Sequence, residues 1–376
     1  MRICLLSPYP ELREGVGRYT QALLSALQNL EGIFPVAVPF HSSGKPTMVE
    51  EFLGIGKALR VFKQIVKCHP DILHIQYTSS TYPKSGLILL LQMLRLMPAR
   101  LVVTRHEFVR ESRPIKIRTL FEKIVCHGAD LLIVLTRYSL DAARVGLTPR
   151  RTKIIPHGLT LHKPVAKDEA RTMLGIPKDA KILLAFGYVS PHKGLEYAIR
   201  AVKHVVKSLP LAHLIIAGGP HPLSRDDTYM GALKHLAVEE GDSHHVTFTG
   251  YVPDQLVDYY LDSADIMLLP YVGVTQSGVV YMAVAHSVPV VTSSLGGFRE
   301  ELERNEIGVL VPPGDASSLA EAIVSLLSDP ERLERYSRNE ARLSRELSWE
   351  VIARRHLEAY NELIDTRPEC DREGAA

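Results

Sequence analysis

The chain has 376 residues, which at roughly 150 residues per domain predicts two domains. Lys+Arg number 44 against 42 Asp+Glu, a balance that argues against a dedicated nucleic-acid binder, which usually concentrates basic charge on one face. With 46% hydrophobic and 23% charged residues wholesale disorder is excluded too, and the scattered Cys4, Cys68, Cys126 and Cys370, none in a Cys-x-x-Cys pair, supply neither a disulfide scaffold nor a structural zinc site.

Residues 2–7 form a short apolar run closed by Ser7-Pro8-Tyr9-Pro10, too short for the core of a secretory signal and readable as a strand. Helix 18–30 follows, with Leu23, Leu24, Leu27 and Leu30 at helical spacing. Then come strand 34–39, helix 50–67, strand 71–76, helix 86–97, strand 100–104, helix 116–127 and strand 130–135. The pattern restarts with strand 182–186, helix 194–207, strand 213–217, helix 228–240, strand 246–249 and helix 254–261. Strand 266–270, helix 278–286, strand 289–292, helix 316–328 and helix 331–345 complete it.

Nearly all-apolar strands alternating with amphipathic helices mean parallel sheets covered on both faces. The expectation is an α/β chain of two tandem Rossmann-like, doubly wound domains, divided near Ile155-Pro156-His157-Gly158 and the polar stretch to Asp168. Ligands of such sheets bind beyond the carboxyl ends of the strands, so two facing domains would enclose an interdomain cleft. The apolar helix 86–97 could touch a membrane, but core packing is the better reading, and its longest apolar run is broken by Gln92 and Arg95, far short of about 20 residues for a span. The chain reads as cytoplasmic.

Residues that follow strands carry the chemistry. Gly15 and Gly17 stand between the first strand and its helix, where backbone N–H groups can approach a phosphate. A dinucleotide fingerprint would place a third glycine at Thr20 and an acid after the second strand, and both are missing. His106 and Glu107 close the fourth strand, where a histidine can meet substrate or simply cap the sheet. Lys193, after Gly187-Tyr188-Val189-Ser190-Pro191-His192 and before Gly194, is placed to pair with a phosphate at a helix head; the plain alternative is a solvated lysine in a turn. Gln276-Ser277-Gly278-Val279 opens another helix, with Ser277 equally an ordinary N-cap. Gly296-Gly297-Phe298-Arg299-Glu300 repeats the pattern after the next strand. His235, His244 and His245 lack metal-ligand spacing, and Asp226-Asp227 and Asp262-Ser263-Ala264-Asp265 form no Asp-x-Asp motif after a strand.

Taken in order, Gly15-Val16-Gly17-Arg18-Tyr19, His74-Ile75-Gln76-Tyr77, Val103-Thr104-Arg105-His106, Ile155-Pro156-His157-Gly158, the Gly187–Gly194 loop, Gly250-Tyr251-Val252-Pro253-Asp254, Gln276-Ser277-Gly278, Gly296-Gly297, Pro312-Pro313-Gly314-Asp315 and Ser348-Trp349-Glu350 make the chain resemble the retaining glycosyltransferases of family four (glycosyl transferases group 1), which have the GT-B fold. The resemblance implies an N-terminal acceptor-binding domain over 1–165, a donor domain over 166–347 and a C-terminal helix over 348–365 that packs back on the first domain; the tail, 366–376, is expected to be disordered.

It further implies that the donor diphosphate sits near Lys193, the Gly15 loop and the helix start at Gln276, Ser277, Gly278 and Val279, that the base lies near Tyr251 and Val252, and that His106 contacts the transferred sugar. Glu107 becomes an acceptor contact. Neither a metal nor a cofactor is expected, because cationic side chains and helix ends can carry the leaving diphosphate. Relatives usually carry Arg where Tyr188 stands, and two Glu where Val274 and Met282 stand. A branch with Gln-Ser-Gly and an Ala-rich helix lacks that pair, and Glu300 is then the substitute ribose contact.

The resulting expectation is transfer of a hexose from a UDP- or GDP-sugar to a hydroxyl of a carbohydrate, lipid-linked or small-molecule acceptor, with retention of configuration. No nucleic-acid partner is expected, and a peripheral membrane contact is compatible. The alternatives are a non-catalytic nucleotide-sugar-binding protein or subunit, and a sugar-nucleotide epimerase on the same fold.

Overall fold

Twelve parallel strands among the described residues fall into two six-stranded sheets. The structure, a computed structural model, describes residues 1–7, 15–39, 55–78, 90, 93–106, 125–146, 151–220, 228–273 and 277–366. The chain divides into two compact units, Met1–Gly158 together with Leu347–Ala376, and Leu159–Glu346.

The first unit orders its strands β2-β1-β3-β4-β5-β6. These are β1 (Arg2–Ser7), β2 (Phe34–Pro39), β3 (Ile72–Tyr77), β4 (Arg100–Arg105), β5 (Leu131–Val134) and β6 (Thr152–Ile154). β3 and β5 are buried along their whole length, the signature of a parallel sheet covered on both faces. Helix α1 (Gly15–Gln28) returns from β1 to the edge strand β2, and α2 (Ile55–Cys68) carries the chain back across the sheet to β3. Ala58, Val61 and Ile65 of α2 pack against Cys4 and Leu6 of β1 and Leu73 and Ile75 of β3 in one apolar core. The strand order therefore reverses between β1 and β3, the place where open α/β sheets leave a crevice beyond their strands' carboxyl ends.

The second unit orders its strands β12-β11-β10-β7-β8-β9. They are β7 (Lys181–Phe186), β8 (Ala212–Ala217), β9 (Val246–Gly250), β10 (Ile266–Leu269), β11 (Val290–Ser293) and β12 (Gly308–Val311). Here the order reverses between β7 and β10. Leu183 and Ala185 of β7 are packed with Ala198, Ile199 and Val202 of α5 (Leu195–Ser208), and with Leu319 and Ile323 of a later helix, Ala316–Leu327.

Three helices and two strands that the sequence pattern passes over are present. They are α3 (Arg137–Gly146) with β6, α4 (Lys167–Leu174), and α9 (Gly296–Asn305) with β12. In α4 only Ala170 and Arg171 are buried, so no apolar stripe marks it. Arg171 instead anchors the helix through Asp265, whose Oδ2 accepts from Nη2 at 2.7 Å and from the backbone N–H of Ile182 at 2.7 Å. Helix α9 opens on two glycines that read as loop, and buries Gly297, Phe298 and Leu302. β6 has three residues, none fully buried, too few for a periodicity. The expected helix 86–97 lies half outside the described residues, the expected helix 116–127 mostly outside them, and the tail beyond 366 wholly outside.

Helix α6 (Thr228–Glu239), α7 (Asp254–Ser263), α8 (Gly278–His286), α10 (Ala316–Leu327) and α11 (Pro330–Glu346) complete the second unit. The last helix, α12 (Trp349–Asp365), belongs to the first unit and lies against α1. Ser348 caps it through the N–H of Val351, and Ile352, His356, Ala359, Tyr360 and Leu363 form its buried stripe at helical spacing. Trp349 covers Gly158 so closely that a Cβ there would enter the indole ring.

Candidate functional site

In the first unit the site is built on β3 and β4. Because side chains alternate along a strand, His74 and Gln76 share one face of β3, and Gln76 stands beside Thr104 of β4. His74 bonds Thr104 Oγ1 through Nε2 at 2.7 Å and the Tyr360 hydroxyl of α12 through Nδ1 at 2.7 Å. His106, just past β4, bonds Gln76 Oε1 through Nε2 at 2.8 Å, and its backbone N–H donates to Tyr77 at 3.1 Å. Since the amide oxygen only accepts, this bond selects the tautomer with the proton on Nε2 and leaves Nδ1 as an acceptor.

Tyr19 of α1 meets the His106 ring edge-on at 4.7 Å, and meets His157 at 5.1 Å and Trp349 at 4.9 Å. Burial, with His157 and His356 nearby, pushes the pKa of His106 down to about 3. The ring is therefore neutral at physiological pH and acts as a fixed hydrogen-bonding group. Gly15 and Gly17 form the first turn of α1, at the carboxyl end of β1, with Gly17 buried. Glu107 lies outside the described residues.

In the second unit the loop after β7 and the segment after β10 flank the strand-order reversal and are joined by a backbone bond, Val272 N–H to His192 O at 2.9 Å. Pro191–Lys193 make one 3-10 turn. Lys193 is 7% exposed; its Nζ donates to Phe186 O at 3.0 Å and lies 5.8 Å from the centre of the Tyr271 ring, within cation–π range. Burial lowers its pKa to about 8, so the amine is charged at neutral pH and poorly solvated, ready to pair with an anion.

Gly187, at φ 95°, turns the chain directly over that amine: a Cβ there would stand 2.9 Å from Nζ and 3.6 Å from Val279 Cγ2. The same position therefore touches the lysine and the first turn of α8. Ser277 caps α8, accepting from Val279 N–H at 3.3 Å, and the first-turn N–H groups concentrate positive potential at that end.

Tyr271 was not singled out by sequence, and it holds these pieces together. Its hydroxyl lies 3.2 Å from Ser277 Oγ, its ring packs 5.4 Å from Phe298 in the first turn of α9, and His192 stands 6.0 Å away. The available signal was an aromatic immediately after a strand and its proline. Thus Lys193, Ser277, Val279 and, through Phe298, the Gly297 turn are gathered around one buried phenol. Gln276 lies outside the described residues. Val252 is 6% exposed, so its side chain belongs to the interior, whereas Tyr251 is 47% exposed, with its backbone N 3.3 Å from where a Cβ on Gly219 would lie.

Tyr188 is partly exposed beside Gly187. Glu300 is partly exposed, one turn into α9; its neighbour Glu301 accepts from the Tyr281 hydroxyl at 3.0 Å, and burial raises the Glu301 pKa to about 7. The sequence signal for Gln76, within the His74-Ile75-Gln76-Tyr77 motif, is a polar residue in a fully buried strand.

Comparison with known proteins follows the same division. Residues 166–343 match the family described as Glycosyl transferases group 1, and residues 13–163 match Glycosyltransferase Family 4. A D-inositol 3-phosphate glycosyltransferase from Thermomonospora curvata is 32% identical over 66% of this chain, and the chain spans 61% of that relative's length. A protein of the same description from Corynebacterium efficiens is 27% identical over 99% of the chain and 92% of its own length. A phosphatidyl-myo-inositol mannosyltransferase from Mycobacterium leprae is 28% identical over 80% of the chain and 76% of its own. Among solved structures, sucrose-phosphate synthase from Thermosynechococcus elongatus superposes with a TM-score of 0.81 at 23% identity, covering 98% of this chain and all of that one. Anabaena Alr3699/HepE, solved in complex with UDP, gives 0.78 at 18% identity over 96% of this chain and all of its own. The fold is GT-B.

Proposed function

We propose, from the premise that the chain belongs to the glycosyl transferases group 1 family, that it transfers a hexose from a nucleotide-diphosphate sugar to an acceptor hydroxyl with retention of configuration. The observation that carries this reading is the buried Lys193 amine beside the N-terminus of α8, two sources of positive potential converging on one point. When the sugar is transferred, its bond to the nucleoside diphosphate breaks and that diphosphate departs with an added negative charge, which such a pair stabilises. A solved structure of the same fold, Anabaena Alr3699/HepE, carries UDP or UDP-glucose, which supports a nucleotide donor; the donor is a UDP- or GDP-sugar.

In this reading Lys193 and the N–H groups at Gly278 and Val279 hold the diphosphate. Ser277 and Gly297 flank it, and the family resemblance adds Gln276, Gly15 and Gly17 to the residues assigned to the donor. Tyr251 and the backbone of Val252 border the base, Tyr188 stands beside the phosphates, and Glu300 takes the ribose. His106, fixed by Gln76 and Tyr19, positions the transferred sugar, and Glu107 contacts the acceptor. The nucleotide diphosphate leaves from the face that the acceptor oxygen approaches, which gives retention. The reaction needs neither metal nor cofactor at this site. The acceptor is a carbohydrate, a lipid-linked molecule or a small molecule; the relatives' descriptions name inositol phosphate and phosphatidylinositol.

A thermal-shift screen against UDP-, GDP- and ADP-sugars, followed by calorimetry and an assay of donor hydrolysis and transfer, tests this. A ligand that binds only the folded state raises its melting temperature. The expected result is one UDP- or GDP-sugar that both binds and is turned over. Binding without turnover across many acceptors identifies a non-catalytic nucleotide-sugar-binding protein; interconversion of donors without acceptor identifies an epimerase. No shift with any nucleotide sugar overturns the assignment.

A further inference from the structure

Away from Lys193, the second unit contains a constellation that the transfer chemistry does not use. His162 lies in the segment that leads from Gly158 into α4, and His286 is the last residue of α8. Asp258 and Asp262 stand one turn apart on α7, which puts both carboxylates on one face of that helix. The side chains of His162, His286 and Asp262 are 11%, 5% and 4% exposed, whereas Asp258 is 57% exposed and opens the cluster to solvent.

Asp262 orients both rings. Its Oδ2 accepts from His162 Nε2 at 2.8 Å, and its Oδ1 accepts from His286 Nδ1 at 2.7 Å. The backbone N–H of Val165 also donates to Oδ2 at 2.8 Å. With those ring nitrogens donating, the remaining ones, His162 Nδ1 and His286 Nε2, point to Asp258, at 3.6 Å from Oδ2 and 3.4 Å from Oδ1. One ligand atom each from His162, His286 and Asp258 lie within 4.8 Å of one another.

Those separations are long for hydrogen bonds and right for a shared ion. A tetrahedral ion with bonds of about 2.0–2.1 Å holds its ligand atoms about 3.3 Å apart. The rings also stack, with centroids 3.8 Å apart and planes 28° from parallel. Two imidazolium charges at that distance repel, while two neutral rings would aim their lone pairs at an acceptor-only carboxylate. A cation held among the three removes both conflicts. A ligating histidine whose other nitrogen is fixed by a carboxylate is the recurrent support of such ions, and Asp262 supplies it to two histidines at once.

We propose that His162, His286 and Asp258 bind one divalent transition-metal ion of the zinc class, with Asp262 as the positioning carboxylate and water in the fourth place. Imidazole and carboxylate donors suit Zn²⁺ over Mg²⁺ or Ca²⁺, which prefer all-oxygen cages. The ion fastens the 159–165 segment to α7 and α8. It is separate from the donor site: α8 has nine residues, so its two ends lie about 12 Å apart, with Ser277 at one and His286 at the other. Nothing in this inference depends on the donor assignment.

The test uses the full-length protein stripped with a chelator and titrated with Zn²⁺ alone by calorimetry, then with Co²⁺ as an optical reporter. One ion per chain is expected, with the strong visible absorption of tetrahedral Co²⁺ and a Zn²⁺-dependent rise in melting temperature. Asp258→Asn, at an exposed position that leaves packing intact, and His286→Gln are each expected to weaken binding at least tenfold. Asp262→Asn is expected to weaken it about 10–100-fold without removing a ligand. His235→Gln, in an exposed helical pair with Glu239, is the control and leaves binding unchanged. Circular dichroism confirms that each variant is folded. Absence of saturable binding, unchanged affinity in both Asp258→Asn and His286→Gln, or an octahedral Co²⁺ spectrum overturns the proposal.

Discussion

Gly187 and Lys193 are so close that a Cβ on the glycine would stand 2.9 Å from the lysine Nζ, in a backbone conformation (φ 95°) that L side chains rarely adopt. The chain thus passes over the buried amine at the one residue type that leaves it uncovered. Gly187→Ala is expected to cost about 1–3 kcal/mol of stability through backbone strain. It should also weaken binding of the nucleotide diphosphate by about tenfold or more, because the methyl displaces the amine. Denaturant titration and calorimetry with UDP or GDP read the two effects separately; an unchanged affinity would show that the amine does not hold the anion.

Lys193→Ala should fold and lose about 10²–10³-fold in transfer rate, the usual cost of deleting a preorganised donor to developing negative charge. Wild-type turnover in that variant would sink the assignment. The pH dependence has two opposite arms. The free amine has a pKa of about 8, against 10.5 for an ordinary lysine. Anion affinity therefore falls as pH rises through about 8. Between about 8 and 10.5 the unfolded chain binds the proton that the folded chain has released, so the stability of the unliganded protein rises with pH. Lys193→Met removes that rise.

Gln76→Leu is expected to leave the fold in place but release the His106 ring. The substitution deletes the acceptor at 2.8 Å from His106 Nε2, and leaving a buried donor unpaired costs about 1–3 kcal/mol. Transfer should fall about tenfold or more while affinity for the nucleotide diphosphate without its sugar stays unchanged, since that group is assigned to Lys193 and α8. Equal losses in both would mean that Gln76 acts only through stability.

Gly158→Ala should destabilise the first unit by about 1–3 kcal/mol, because its methyl group would occupy the Trp349 ring. Trp349→Ala alone should cost about 3–5 kcal/mol. The double variant should lose clearly less than the sum, since removing the indole makes room for the methyl. Additive losses in thermal or denaturant unfolding would mean that the close approach of the two residues is not what makes Gly158 necessary.

Glu340 of α11 is fully buried, and neither carboxyl oxygen has a hydrogen-bond partner. Burial raises its pKa well above the ordinary 4.5. Above 4.5 the folded chain therefore holds a proton that the unfolded chain has lost, and this group makes stability fall as pH rises. Glu340→Gln should remove that contribution, so the stability difference between variant and wild type grows from pH 4.5 upward. Denaturation midpoints measured at several pH values check it, and a constant difference would refute it.

Local periodicity was enough to determine the alternation of apolar strands and amphipathic helices, and with it the two parallel sheets. It also determined that Lys193 follows one strand and that Ser277-Gly278 opens a helix after another, because both are facts about neighbours in the chain. It missed α4 because that helix is anchored by one buried arginine and not by an apolar stripe, and it missed α9 because paired glycines hide a helix start. Strand order and long-range packing decided the rest. The reversal between β7 and β10 brings Lys193 and α8 around Tyr271, and the pairing of β3 with β4 sets Gln76 against His106. The fold of α7 beside the end of α8 brings His162, Asp258 and His286 within reach of one ion. The physical reason is that a side chain's partner depends on which strands and helices become neighbours. That choice is made by burial over the whole unit and leaves no mark in any single stretch of sequence.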